Sequence, residues 1–355
     1  MARKSTTLGE RENESESEQR TGRVPDSSAL LSTLSAHAPL AVAFSGGVDS
    51  AVVLAAAVRT WGRTGTLAVI ADSPALARDE LYGARRTAAE IGAELVVVAT
   101  DEWTVPGYRE NSGDRCYFCK RTVLARVAEV AAERGFHGVA TGTHRDDRRA
   151  AHRPGLRAAA ELGVTEPLAD AGLGKREVRA VAAAWGLSVA EKPGTPCLSS
   201  RVAVGVPVTR ERLALVERAE ELVRAELAAG RVPVTDVRVR LLAADFRIEL
   251  GPPAYDWLGG RPERAGALLR RVAAATRLGL GTVARYRSGA VSTGPGPAAG
   301  PGPGPGPGPG PGPGPGPGPG PGRGQCRTGR AGPLVPRPVG PRGDGASRAV
   351  VEGAS

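Results

Sequence analysis

Two groups of residues in this 355-residue chain have the types and spacing of a chemical site. Residues 45–50 read Ser-Gly-Gly-Val-Asp-Ser, which offers hydroxyl groups, adaptable glycine backbone and a carboxylate. Three cysteines stand in two further motifs, Cys116 and Cys119 in Cys-Tyr-Phe-Cys and Cys197 in Pro-Cys-Leu-Ser-Ser-Arg. The first group is typical of phosphate binding and the second of thiolate chemistry, so the sequence predicts a site that uses both.

The 45–50 segment falls between an apolar segment and one with the periodicity of a helix. Glycines let the backbone approach a ligand, and the free amides and dipole at a helix start favour an anion. The predicted phosphate-binding residues are Ser45, Gly46, Gly47, Asp49 and Ser50. We expect the Asp49 carboxylate to bind Mg²⁺ or to orient the loop. The Gly-Lys-Ser/Thr of a Walker loop is absent, and the alternative interpretation is a tight turn with a capping serine.

The Cys116–Cys119 pair has several ordinary interpretations: a redox dithiol, half a zinc site, or part of an iron–sulfur site. No second such pair and no nearby pair of histidines accompanies it, which argues against structural zinc. Two cysteines that merely pack are the alternative, although Arg115 and Lys120 would favour thiolates. A loop thiol at Cys197 could act as a nucleophile or sulfur donor.

The elements that must position these residues follow from the hydrophobic pattern. Strands that are apolar throughout are predicted at 39–44, 66–71, 93–99 and 137–141, with helices at 48–60, 76–92, 118–134 and 175–186. This alternation predicts a doubly wound α/β domain with a parallel sheet, whose site lies at the carboxyl ends of the strands. The later pattern predicts a small α+β domain with a helix at 209–229, a hairpin at 236–250, a helix at 262–277 and a strand at 281–286.

We therefore expect four regions along the chain. They are a disordered segment at 1–27, the α/β domain at 28–205, an α+β substrate and oligomerisation domain at 206–290, and a disordered tail at 291–355. The tail contains an almost strict Gly-Pro alternation from 294 to 324, which supports neither helix nor sheet. Its period of two excludes a collagen triple helix.

Composition limits the possible partners. The net charge is +10, of which +4 lies beyond residue 322, and aromatic residues make up 4% of the chain, so we expect no nucleic-acid platform. No stretch is apolar enough to span a membrane, and no apolar signal core begins the chain. Four unevenly spaced cysteines do not form a disulfide framework. We expect a cytoplasmic protein with reduced thiols.

The 45–50 hexapeptide resembles the loop of the PP-loop ATP pyrophosphatases. That resemblance implies that ATP is cleaved between its α and β phosphates and that a carbonyl or carboxylate is adenylated. Asp72 and Ser73 follow the second strand, where the family places adenosine contacts. The other predicted ATP contacts are Gly142, Thr143 and Asp146, with Lys120 and Arg153 as candidates for phosphate charge.

A wider set of motifs resembles the LarE family, ATP-dependent sulfur transferases of nickel-pincer cofactor biosynthesis. The motifs are the loop, Asp-Arg-Cys-Tyr-Phe-Cys-Lys, Gly-Thr-x-x-Asp-Asp, Pro-Cys-Leu-Ser-Ser-Arg and a closing Tyr-Arg-Ser-Gly, over about residues 30–290. The resemblance implies that a carboxylate of pyridinium-3,5-biscarboxylic acid mononucleotide is adenylated and becomes a thiocarboxylate. It also implies a homo-oligomer, a hexamer.

Two sulfur sources are known in that family. In one, the cysteine matching Cys197 gives up its sulfur and becomes dehydroalanine. In the other, three cysteines hold a [4Fe-4S] cluster whose open iron carries an extra sulfide. Cys116, Cys119 and Cys197 match the three-cysteine type, so we favour the cluster, with the sacrificial route second.

The resemblance also assigns residues in the second half of the chain. Arg238 and Arg240 would hold the substrate phosphate, and the sulfur-transfer pocket would be lined by Ser199, Ser200 and Arg201. Acidic positions tied to a metal at a subunit interface fall near Glu221, Glu249 and Asp256; solvated charges are the alternative. The sequence departs from the family at His144, where asparagine is usual, and at 202–204, where a Pro-Tyr stretch is usual.

Three other functions remain open from the sequence. A PP-loop transfer-RNA thiolase would share the loop, use cysteine sulfur and suit the basic charge. An amide-forming synthetase would give no role to three cysteines. An inactive nucleotide-binding protein could use the basic tail for interaction.

Overall fold

A computed structural model of the protein describes residues 27–149 and 154–287. The predictions for the N-terminal segment up to residue 26, for Arg153 and for the tail beyond residue 287 lie outside the described residues. The chain divides into a unit at 1–298 and a second at 299–355, and every described residue belongs to the first. The expected domain boundary at 205/206 therefore stays a prediction.

The first sheet is parallel and has the strand order β3-β2-β1-β4. Its strands are β1 (Ala41–Ala43), β2 (Leu67–Asp72), β3 (Glu94–Ala99) and β4 (Val139–Ala140). Sequence order reverses at β1, which pairs with β2 on one side and β4 on the other. Ligands of such sheets bind at the carboxyl edge beside this reversal, which is where the 45–50 loop begins.

Helices cover this sheet because alternate strand residues point to opposite faces. Val42 packs in one buried cluster with the helix that follows the loop, whereas Ala41 packs in another with Leu124 of the helix that carries the cysteine pair. The helices of this half are α1 (Ser28–Ser35), α2 (Val48–Trp61), α3 (Arg78–Ile91), α4 (Pro106–Glu110), α5 (Arg115–Glu133), α6 (Arg145–Arg149), α7 (Pro154–Glu161), α8 (Pro167–Asp170) and α9 (Lys175–Ala184).

A small mixed sheet follows. The predicted hairpin is present as antiparallel β5 (Val237–Leu241) and β6 (Phe246–Leu250), and β7 (Thr282–Arg285) pairs parallel with β6. Three helices accompany it, α10 (Arg210–Ala229), α11 (Pro252–Gly259) and α12 (Pro262–Thr276). Their apolar faces share one buried cluster with the sheet. The predicted fold class, a parallel α/β sheet followed by a small α+β segment, is confirmed.

One difference from the predicted elements affects the site. Helix α5 begins at Arg115 rather than at residue 118, so Cys116 and Cys119 both lie on its first turns. Residues three apart on a helix face the same side, which places the two thiols together. No helix among residues 27–149 and 154–287 is long and apolar enough to cross a membrane.

Candidate active site

The 45–50 loop is closed by its own two serines. The Ser50 hydroxyl accepts the N–H of Ser45 at 3.2 Å and donates to the Gly47 carbonyl at 3.1 Å. Gly46 has φ +70°, and a Cβ there would lie 2.7 Å from the Cβ of Ala84, so only glycine fits. Because α2 begins at Val48, unpaired amides of its first turn lie at the carboxyl edge of the sheet. The loop has the form of an anion site.

The carboxylate of this loop is already paired with a lysine. Lys175 Nζ lies 2.7 and 2.8 Å from the two carboxylate oxygens of Asp49. Lys175 is the first residue of α9, and its backbone N–H donates to Asp146 at 2.8 Å, which lowers the pKa of that carboxyl. Asp146 therefore orients the helix that presents Lys175. Lys175 was not among the predicted site residues, because its only sequence signal is a lysine after Gly-Leu-Gly at a helix start.

Two cavities open on the loop, and both include Ser45 and Asp49 in their walls. The Cys116 cavity, of about 530 Å³, is further lined by Ser50, Cys116, Cys119, Lys120, Gly142, Thr143 and Asp147. The Cys197 cavity, of about 540 Å³, is further lined by Lys175, Lys192, Cys197, Arg201, Arg224 and Arg238. The structure thus brings the two cysteine motifs to two sides of one phosphate-binding loop.

The Cys116 cavity lies over the β1–β4 reversal. A Cβ on Gly142 would lie 2.7 Å from the backbone N of Ser50, so the end of β4 abuts the loop and requires glycine. Thr143 is buried, and its hydroxyl lies 3.2 Å from that of Thr141. Burial lowers the pKa of Lys120, and the largest of the opposing effects comes from Cys119. Three of the predicted ATP contacts, Lys120, Gly142 and Thr143, thus lie together in this cavity, and their contact with ATP stays a prediction.

The thiols of Cys116, Cys119 and Cys197 are all free, and Cys119 is the least exposed of these three. Burial raises the pKa of the Cys119 thiol, and Cys197, Glu102 and Cys116 raise it further, whereas Lys120 lowers it. Cys116 and Cys197 are therefore both close enough to Cys119 to affect the ionisation of its thiol. The expected thiolate-favouring effect of Lys120 is present, but at Cys119 burial outweighs it.

A buried ion pair between Arg201 and Glu220 supports the backbone of the loop that carries Cys197. Arg201 is 1% exposed, donates from Nη1 to the Cys197 carbonyl at 3.1 Å, and pairs through Nε with Glu220 at 2.9 Å. Ser200 also donates to the Cys197 carbonyl, at 2.8 Å. Ser199 is fully buried and lies 2.5 Å from the hydroxyl of Tyr108. The three residues after Leu198 thus fix the backbone that carries the exposed Cys197 thiol.

Comparison with known proteins bears on this geometry. A sequence profile of the asparagine synthase family matches residues 27–105, which contain the loop. An uncharacterised protein of Synechocystis is 39% identical over 211 residues, covering 59% of this chain and 76% of its own. The pyridinium-3,5-bisthiocarboxylic acid mononucleotide synthase of Lactiplantibacillus plantarum is 33% identical over 221 residues, covering 62% and 78%. The chain belongs to the LarE family. An uncharacterised protein of Methanocaldococcus jannaschii is 27% identical over 197 residues, covering 56% and 73%.

The LarE-family resemblance implied a cluster held by three cysteines, and this cluster stays a prediction. Within the described ranges, no three side chains of His, Cys, Asp or Glu lie close enough to share one metal ion. A four-iron cluster takes its thiolates at separate corners, so Cys116, Cys119 and Cys197 need not converge on one point. Soft thiols without competing histidines are the chemistry that iron–sulfur clusters require.

The arginines predicted to hold the substrate phosphate lie in different surroundings. Arg238 lines the Cys197 cavity, stacks over Tyr286 with 5.4 Å between guanidinium carbon and ring centroid, and has its pKa lowered by burial. Arg240 instead pairs with Glu249 at 2.7 Å and donates to the Ser200 carbonyl at 3.0 Å. In the cavity wall, Arg238 donates to the Val237 carbonyl at 2.8 Å and lies 3.6 Å from Asp236, whereas Arg240 fastens the cysteine loop to β5.

The acidic residues expected to bind an interface metal are dispersed in this chain. Glu221 is exposed, and its neighbour Glu220 is the buried partner of Arg201. Glu249 bonds Arg240, and Asp256 pairs with Arg285 at 2.7 Å on the surface. Glu220 was missed because sequence alone does not tell which of two adjacent glutamates faces the core.

Asp72 and Ser73 line a third cavity, of about 790 Å³, at the ends of β2 and β3. No residue of the 45–50 loop is among its lining residues, and Asp72 pairs with Arg78 at 2.8 Å. The structure does not bring these two residues into either loop cavity, and their contact with adenosine stays a prediction. His144 is buried, and its ring nitrogen Nε2 lies 3.4 Å from Asp147.

Proposed function

We propose that the protein is an ATP-dependent sulfur transferase that converts a carboxylate of pyridinium-3,5-biscarboxylic acid mononucleotide into a thiocarboxylate. The observation that carries this proposal is the position of Ser45 and Asp49 in the walls of both the Cys116 and the Cys197 cavity. An acyl adenylate formed at the loop would lie within reach of both cysteine motifs. The name of the Lactiplantibacillus plantarum relative supports the nature of the substrate.

The first step is adenylation. The substrate carboxylate oxygen attacks the α-phosphorus of ATP, the bond to the β-phosphate bridging oxygen breaks, and pyrophosphate leaves. Loop amides and the hydroxyls of Ser45 and Ser50 would hold the phosphates. Mg²⁺ would bind Asp49 and displace the ammonium of Lys175, which lies 2.7 Å from that carboxylate, so that Lys175 turns to a phosphate.

The substrate would enter through the Cys197 cavity. Its phosphate would bind Arg238, the guanidinium of which lies in the cavity wall, and the side chain of Arg224 adds positive charge to the same wall. Ser199, Ser200 and Arg201 would act through the backbone of the cysteine loop rather than on the substrate itself.

We favour a [4Fe-4S] cluster on Cys116, Cys119 and Cys197, which would supply a sulfide for the second step. In the sacrificial alternative, the Cys197 thiolate attacks the acyl carbon and AMP leaves. The Cα proton is then removed, the Cβ–Sγ bond breaks, sulfur stays on the product and dehydroalanine remains at 197. The exposed position of Cys197 suits both routes, whereas Cys116 and Cys119 have a role only in the first.

One experiment tests both the reaction and its sulfur source. Wild-type protein is purified without oxygen, analysed for iron and sulfide, and incubated with Mg²⁺-ATP and the biscarboxylate nucleotide. We expect about four irons per chain, together with AMP, pyrophosphate and thiocarboxylate. Iron-free protein with dehydroalanine at 197 after turnover would replace the cluster by the sacrificial route. Absence of AMP formation would contradict the proposed function altogether.

We also propose that a homo-hexamer forms and that Glu221, Glu249 and Asp256 contribute to a metal at its interface. Because the three acids are dispersed in one chain, a second subunit would have to complete the site. Light scattering of the full chain with and without a chelator tests this, since chelation should dissociate an assembly that depends on the metal.

A further inference from the structure

Lys192 lies on the segment that leads to Cys197, yet its ammonium reaches the 45–50 loop. Its Nζ donates to the Gly46 carbonyl at 3.2 Å and pairs with Glu80 of α3 at 2.7 Å. The side chain is 24% exposed and lies in the wall of the Cys197 cavity. The sequence prediction assigned it no role.

The backbone of Lys192 is fixed by helix α9. Arg179 donates from Nη2 to the Lys192 carbonyl at 2.8 Å and from Nη1 to the carbonyl of Ala190. The Lys192 N–H donates to the carbonyl of Val189 at 3.0 Å. The ammonium is therefore presented by a fixed segment rather than by a free surface residue.

Two lysines thus contact the loop near its two ends. Lys192 bonds Gly46 near the end of β1, and Lys175 pairs with Asp49 on the first turn of α2. The Gly46 carbonyl is a neutral acceptor, and an ammonium binds an ionised phosphate more strongly than a neutral carbonyl. A triphosphate bound to the loop amides would therefore compete with the Gly46 carbonyl for the Lys192 ammonium. Glu80 would either stay paired with this ammonium or be released.

We propose that Lys192 binds a phosphate of ATP and so couples nucleotide binding to the segment that ends in Cys197. The proposal rests on the proposed function for the nucleotide and adds a residue to its binding site. Since Cys197 follows Lys192 by five residues in the same segment, an ammonium engaged by the nucleotide would hold this segment at the loop.

The test compares Lys192→Gln with Glu80→Gln in the full chain. Calorimetry measures the Kd of α,β-methylene-ATP with Mg²⁺, and thermal unfolding verifies that both variants are folded. We expect Lys192→Gln to raise the Kd about tenfold or more, the effect of losing a charge-assisted hydrogen bond. Glu80→Gln breaks the same ion pair but keeps the ammonium, so its Kd should be unchanged or lower.

Equal weakening by the two variants, or a wild-type Kd in Lys192→Gln, would overturn the proposal. If a variant does not fold, a measurement on the wild-type protein tests the proposal instead. The nucleotide analogue should protect Lys192 from acetylation by an amine-reactive ester, and unprotected Lys192 in analogue-saturated protein would also overturn it. If the nucleotide binds through Lys192 but no thiocarboxylate forms from the biscarboxylate, the proposed function fails and this inference stands.

Discussion

Cys119 and Cys197 lie close enough for an electrostatic interaction, but the protein holds the two residues in different ways. Cys119 is a half-buried thiol on a regular helix, and burial raises its pKa. Cys197 is exposed on a loop whose backbone is fixed by the buried Arg201–Glu220 pair. At Cys119 the surroundings control the protonation of the thiol, whereas at Cys197 the loop contacts control its position.

The largest expected effect comes from removing the positioned thiol. Cys197→Ala should abolish thiocarboxylate formation in both sulfur routes, because each needs this sulfur as ligand or donor. Adenylation should persist, since the loop and Lys175 are untouched, and it is measured as pyrophosphate release. Cys116→Ala is the matched variant on the helix side. Thiocarboxylate formation by the Cys197→Ala variant would contradict the requirement for this positioned thiol.

Breaking the support of the loop should cost stability. Glu220→Gln leaves the fully buried guanidinium of Arg201 without its charge partner, and we expect a loss of about 3–5 kcal/mol in the free energy of unfolding. Urea denaturation measures this loss. Glu221→Gln is the control one residue along the same helix, and its effect should stay within about 0.5 kcal/mol because that side chain is exposed. Similar values for both would mean that the buried pair does not hold the loop.

The raised pKa of Cys119 predicts a pH dependence of the reactivity of its thiol. Because the pKa of Cys119 is raised, its thiolate fraction in neutral solution is depressed and increases only as pH rises above the usual thiol range. In metal-free protein we expect alkylation of Cys119 by iodoacetamide at pH 8 to be more than about tenfold slower than in the urea-unfolded chain. Peptide mass spectrometry follows the rate at each cysteine, and equal rates in folded and unfolded protein would contradict the effect of burial.

The smallest expected effect concerns the substrate side of the Cys197 cavity. Tyr286→Leu removes the ring beneath Arg238, an interaction of about 0.5–1 kcal/mol. We expect the KM for the pyridinium nucleotide to rise about two- to fivefold with little change in kcat. Tyr286→Phe keeps the ring and should behave like the wild type, so equal effects of both variants would assign the role to the hydroxyl instead.

Much of the first sheet could be predicted because its strands are uninterrupted apolar runs and its helices have clear periodicity. The loop and the cysteine motifs could be predicted because their glycines, serines and thiols are local in sequence. The contacts of Lys175 and Lys192 with the loop could not, since 126 and 146 residues separate each lysine from its partner there. The choice between Glu220 and Glu221 also depends on packing, because adjacent helical residues point about 100° apart.

The hydrogen bonds from Ser200 and Arg201 that hold the Cys197 loop are accepted by the carbonyl oxygen of Cys197, not by its sulfur. If the sacrificial route operates, a molecule that has lost its sulfur would therefore keep the loop, the nucleotide site and the fold. Molecules that have lost this sulfur would persist beside intact ones and would still bind ATP and substrate. The cell would then have to dilute, degrade or repair them, and sulfur output would follow the rate of protein synthesis rather than the rate of catalysis.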